Sequence, residues 1–128
     1  YAKSINIEAL TMIDMASKQI IPAVVKYSQK LAKTVLDVKA AGVEPVVQSE
    51  LLAKVNSKLT EMKEALSVLE KEEAAASAME DVKAQSFRYK DVVIPAMDAL
   101  RAPADELEMM VDKADWPFPT YGDLMFEV

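Results

Sequence analysis

Carboxylates are the most concentrated chemically active side chains in this chain. They gather at Glu70, Glu72 and Glu73 and again at Asp105, Glu106 and Glu108. Hard cations are held by such oxygens, but only when loops or facing helices make them converge. The sequence has no Asp-x-Asp-x-Asp-Gly loop and no Glu-x-x-His pair, so both clusters read as solvated helix faces, with Asp105 and Glu106 suited to a first helical turn after Pro103. Histidine and cysteine are both absent. Their absence removes the commonest general base, the Ser-His triad, thiolate nucleophiles, disulfides and Cys- or His-based zinc sites. Two isolated glycines cannot form a phosphate cradle. The expected catalytic, cofactor-binding and metal-binding sets within this chain are therefore all empty.

The second concentration is aromatic. Residues 116–128, Trp-Pro-Phe-Pro-Thr-Tyr-Gly-Asp-Leu-Met-Phe-Glu-Val, hold four of the eight aromatics and two of the six prolines. Pro117 and Pro119 keep this segment out of helix. A solvated tail would be polar, so Trp116, Phe118, Tyr121, Leu124 and Phe126 are the candidate docking residues. They serve either as a strap across their own bundle or as an anchor into a neighbour. Met109, Met110 and Met125 are candidates for the groove that receives them, whereas Met62 and Met97 read as core.

The elements that position these residues read as helix almost throughout. Leu10, Ile13, Ser17, Ile20, Val24, Tyr27, Leu31, Val35 and Val38 share one face of a helix over about 6–40, with Asn6 as cap and Gly42 as stop. Pro45 opens a second helix, in which Leu52, Val55, Leu59, Met62, Leu66 and Leu69 repeat in steps of three and four. Extended forward, this stripe projects to positions 73, 76, 80, 83, 87 and 90, whereas the apolar set that follows is Met79, Val82, Tyr89, Val93, Ala96 and Leu100, a slip of one residue. Ser77 and Glu80 have capping-box spacing and place a turn near 77, with a third helix over about 78–113. The expected fold is all-α: an up-down-up antiparallel bundle of three long helices, or four if Pro103 breaks the last. Its domains are a helical bundle over 1–115 and an aromatic strap over 116–128.

Pro22 and Pro95 lie inside apolar helix in the echoing segments Gln19-Ile-Ile-Pro-Ala-Val24 and Val92-Val-Ile-Pro-Ala-Met97. Each frees the carbonyl four residues earlier and is expected to kink its helix. Counted from helix starts at Asn6 and Ser77, the two kinks fall at nearly the same height. They read as tolerated kinks rather than as a duplicated waist.

A net charge of −6 and a pI near 4.7 argue against a nucleic-acid surface. No apolar run reaches the length of a membrane span, so the chain reads as cytoplasmic. Beginning at Tyr1 without methionine, it is expected to be a segment of a longer protein.

Residues 6–15, Ile20-Ile-Pro-Ala23, Val93-Ile-Pro-Ala-Met-Asp-Ala-Leu-Arg101, Asp105-Glu-Leu-Glu108, Val111-Asp-Lys113 and the Trp-Pro-Phe-Pro-Thr-Tyr-Gly-Asp-Leu-Met-Phe tail together resemble the C-terminal region of type III glutamine synthetases. The resemblance spans almost the whole chain. It implies a parent enzyme that ligates ammonia to glutamate, using ATP and a divalent metal, magnesium or manganese. The catalytic residues would lie upstream, and none transfers to a position here. It also implies partners in the catalytic domain of the same chain and in neighbouring subunits of a homo-oligomer, a dodecamer. The function expected is a non-catalytic, structural or assembly-directing domain. The alternative is an independent helical module for protein–protein interaction.

Overall fold

The computed structural model describes residues 2–119. The chain forms three antiparallel rods and, among the described residues, no strand. The first rod is α1 (Ala2–Met15), a π turn (Ala16–Ile20) and α2 (Ile21–Ala40); the second is α3 (Val46–Ser77). The third is α4 (Val82–Arg88), a second π turn (Tyr89–Val93) and α5 (Ile94–Met110). α3 lies centrally and packs extensively against α2 and α5. Pro103 does not break the third rod. It sits inside α5 with its ring buried on the core face, so packing offsets the lost backbone hydrogen bond and the four-helix alternative is corrected.

The connections follow from local chemistry. Gly42 adopts φ +86° after α2, and its N–H reaches the Lys39 carbonyl at 3.0 Å while the Val43 N–H reaches Val38 at 3.2 Å. This paired closure is a Schellman ending, which glycine permits because it lacks a Cβ. Pro45 is the residue before α3 rather than its first-turn residue. α3 does end at Ser77, but the capping box does not form. Asp81 caps α4 instead, accepting from the Lys83 N–H at 3.1 Å, and Ser77 turns back to the Ala74 carbonyl. Gln85 secures the turn by donating to the Ala76 and Met79 carbonyls at 3.0 and 3.3 Å. The Ala76 carbonyl, in the last turn of α3, also accepts from the Met79 N–H at 3.2 Å, so Gln85 adds a side-chain tie across the turn.

Both expected kink positions carry a π turn. In each rod it begins six residues before the proline and ends two before it. The Ile21 N–H pairs with the Ala16 carbonyl and the Ile94 N–H with Tyr89, five residues back in both cases. Pro22 and Pro95 thus each enter as the second residue of a fresh α segment, where a missing N–H costs little. Burial repeats as well: Ala16, Ile20 and Val24 in the first rod match Tyr89, Val93 and Met97 in the third.

The prolines do not share a height. Asn6 and Tyr89 are hydrogen-bonded, and Pro22 lies sixteen residues past Asn6 whereas Pro95 lies six past Tyr89. At 1.5 Å per residue, the offset is about 15 Å. The sequence reading places the first helix start, at about 6, four residues late and the third, at about 78, four residues early, because Asn6 and Ser77 look like caps and are not.

The core is a stack of layers. Eighteen residues on from Asn6, back from Glu73 and on from Tyr89 stand Val24, Val55 and Leu107, each 0% exposed. Between these layers lie Met62, Leu66, Leu69, Val93, Met97 and Leu100. Early in the first rod, the buried residues are Ala9 and Ala16, not Leu10 and Ser17. These small side chains let α1 approach its neighbours closely, and the π turn resets the phase before Ile20.

Candidate functional site

The polar feature that sequence reading missed lies at the end of the bundle where α1 begins. Glu73 is on the core stripe of α3, 3% exposed, and is the buried charged residue among the described ones. Its Oε1 accepts from the Tyr89 hydroxyl at 3.2 Å and, at shorter range, from Asn6 Nδ2. Asn6 Nδ2 also donates to the Tyr89 hydroxyl at 3.2 Å. Each rod contributes one member: Asn6 from α1, Glu73 from α3 and Tyr89 from the second π turn.

Glu73 Oε2 is buried and has no partner among the described residues. Burial pushes the Glu73 carboxyl above its ordinary range, against the opposing pull of the Tyr89 and Asn6 hydrogen bonds. Burial likewise pushes the Tyr89 hydroxyl up. Two open clefts meet at Asn6. One, of about 470 Å³, is bordered by Ala2, Lys3, Ser77, Gln85 and Tyr89; the other, of about 490 Å³, by Leu10, Ile13, Glu70 and Glu73. The carboxylate is buried between them, and of its two donors Tyr89 belongs to the core while Asn6 is half-buried at the rim of both clefts.

The acidic clusters divide differently from the sequence reading. Glu70 is exposed as expected, Glu72 is half-buried and pairs with Arg88 at 2.5 Å, and Glu73 is inside. The signal was available, since position 73 continues the 62, 66, 69 stripe; its charge argued for solvent and was given more weight. Asp105 and Glu106 sit midway along α5 rather than in a first turn, because no helix begins at Pro103. Glu106 ties α5 to α3 through Lys58 at 2.6 Å, and Lys58 also reaches Glu61 at 3.1 Å. Among the described residues, no group of three or more acidic side chains converges as a metal site. None of their helices is long and apolar enough to cross a membrane.

Of the aromatic set, Trp116 is buried in the core and Phe118 packs partly buried against it; Tyr121, Leu124 and Phe126 lie outside the described residues. Trp116 is positioned by the turn after α5. There the Asp112 carboxylate accepts from the Ala114 N–H, the Asp112 carbonyl accepts from Asp115 and Trp116, and Asp115 pairs with Lys30 at 2.6 Å. The indole Nε1 has no partner among the described residues. Met62 and Met97 are core as expected, Met110 is half-buried and Met109 is 87% exposed.

A bundle of three rods, pinned at one end by a buried polar trio and closed at the other by a tryptophan, defines an all-α helical domain. Comparison with known proteins gives the particular resemblance. Residues 1–39 match the family described as glutamine synthetase C-terminal domain. The chain is 32% identical over 130 aligned residues to a glutamine synthetase of Butyrivibrio fibrisolvens, covering 100% of this chain and 19% of that protein. It is 26% identical over 132 to a glutamine synthetase of Bacteroides fragilis (strain YCH46), covering 98% and 18%. A type-3 glutamine synthetase of Dictyostelium discoideum is 28% identical over 137, again covering 98% and 18%. The resemblance to the C-terminal domain of glutamine synthetases is thus borne out along the chain, which spans less than a fifth of the length of these relatives.

Proposed function

We propose that this chain is the C-terminal helical domain of a type III glutamine synthetase, and that it serves the enzyme's architecture rather than its chemistry. The supporting observation is the coverage: nearly the whole chain aligns with less than a fifth of relatives named glutamine synthetase, one of them type-3. The parent would join ammonia to glutamate at the expense of ATP, with a divalent metal, in a cytoplasmic homo-oligomer. Its nucleotide and metal would be held upstream of this segment. Here Glu73 holds three rods in register through Asn6 and Tyr89, a structural use of a carboxylate.

The test is made on the parent enzyme with and without the segment equivalent to residues 1–128. Loss of the large assembly, with the deleted protein still folded, is the expected result. Unchanged native mass would refute the assembly role. The separate chain should form no glutamine from glutamate, ammonia and ATP; activity there would refute its non-catalytic character.

A further inference from the structure

We infer that the cleft between α1 and α3 is a binding site for a guanidinium group on an aliphatic stem, with Glu73 Oε2 as its inner acceptor and Glu70 as its outer one. Glu73 is 3% exposed, and its Oε2 is buried without a donor among the described residues. Its other oxygen is the one turned to Tyr89 and Asn6. Glu73 borders the α1–α3 cleft, of about 490 Å³, and not the neighbouring cleft beside Tyr89.

The lining defines what this cleft can receive. Two carboxylates border it, and no lysine or arginine does. The side-chain donors already there are spent: Asn6 Nδ2 on Glu73 and Tyr89, and the Ser77 hydroxyl on the Ala74 carbonyl at 3.2 Å. Glu70 is exposed and has no ion pair among the described residues. Acceptors outnumber donors, so the fitting partner is a cation that donates. The rest of the border is apolar, from Leu10, Ile13 and Ala74, with Leu10 51% exposed. An aliphatic stem covers such a surface while its charged head lies against the carboxylates.

Guanidinium suits these acceptors better than ammonium. Residues 70 and 73 lie one turn apart on α3, a separation of roughly 5–6 Å between Cβ atoms. One planar group with five N–H donors can bridge that spacing. It is also the more weakly hydrated of the two cations, so bringing it to a buried oxygen costs less. A donor arriving from outside removes the penalty of a buried acceptor left unmatched. Leu10 and Glu70 are exposed side chains that change rotamer within nanoseconds, so the mouth can open without moving a helix. The site belongs to the chain's own helices and is independent of any role in assembly.

The test titrates butylguanidinium and its neutral isostere butylurea separately into the isotopically labelled full chain, at matched ionic strength, followed by NMR. The expected result is saturable shifts centred on Asn6, Leu10, Ile13, Glu70 and Glu73 with butylguanidinium, at a Kd on the order of millimolar, and binding of butylurea about tenfold weaker or less. Glu73→Gln keeps the size of the side chain and should weaken butylguanidinium by about tenfold or more. Leu10→Lys, at an exposed position, sets a cation of the chain's own at the mouth and should weaken it likewise. Undiminished binding by either folded variant, equal binding of butylurea, or shifts that do not saturate would overturn the site. The blocked tripeptide Ala-Arg-Ala and free arginine then separate two sources of the group. Tighter binding of the peptide upholds the site and assigns it to an arginine side chain of a polypeptide; tighter binding of free arginine upholds it and assigns it to a small molecule. Failure of both to bind would overturn it.

Discussion

Glu73 and Tyr89 meet inside the bundle, the tyrosine hydroxyl donating to Glu73 Oε1 at 3.2 Å while Oε2 faces no donor among the described residues. One oxygen of a buried carboxylate is thus satisfied twice, by Tyr89 and Asn6, and the other is not. A carboxyl arranged this way holds its proton to higher pH than a free one, because burial penalises the charge more than two hydrogen bonds stabilise it.

The first prediction is a dependence of stability on pH. The folded Glu73 carboxyl keeps its proton to higher pH than the unfolded one, so between the two values the folded state binds more protons. Stability therefore falls as pH rises through that window and stays lower above it. Thermal melts from about pH 4 to about pH 8 should show a gap between wild type and Glu73→Gln that widens with pH in favour of the amide. A constant gap would mean that Glu73 titrates alike in both states.

The second prediction concerns the donors. Tyr89→Phe keeps the ring in its buried site and removes the hydroxyl, so it should destabilise by roughly 1–2 kcal/mol. The loss should shrink at low pH, where a protonated Glu73 needs less support. Asn6→Ala should behave in the same way. A double-mutant cycle should show coupling, because the two donors share one oxygen. Strictly additive effects would separate them.

How much of this was legible follows from particular residues. The α3 stripe from Leu52 to Leu69 was plain because strict three-four spacing has one helical reading, and Gly42 was plain because few residues tolerate its φ. The turn near Ser77 was found for the wrong reason, since Asp81 is the cap and Gln85 the clasp. Glu73 was misread because residue type outweighed position. The π turns left only the two prolines as a sign. A wider turn shifts which residues face inward, and that is why Leu10 and Ser17 looked like core while Ala9 and Ala16 are.

The third prediction tests the first π turn as an accommodated extra residue. Deleting exposed Ser17 together with Pro22→Ala should restore ordinary pairing between residues four apart while keeping Ala16, Ile20 and Val24 on one face. Deleting Ser28 from the regular part of α2 instead turns every later core residue by about 100°. The Ser17 variant should melt close to wild type and the Ser28 variant far below. Equal losses would mean that the π turn has no such role.

The fourth prediction concerns Trp116, the chain's single tryptophan, which is 8% exposed. It follows the end of α5 and belongs to the buried core, so its large ring carries the core past the last turn of the third rod. Trp116→Ala should cost roughly 3–5 kcal/mol, the range for emptying a large aromatic site. Trp116→Phe should cost much less, because the indole Nε1 it removes has no partner among the described residues and the lost area is partly offset by that relief. Native fluorescence supplies the check on location: emission should be blue-shifted and shift red with the same midpoint as helix loss by circular dichroism. A red shift that precedes helix loss would show Trp116 leaving an intact bundle, and its burial would then be peripheral to the core rather than part of it.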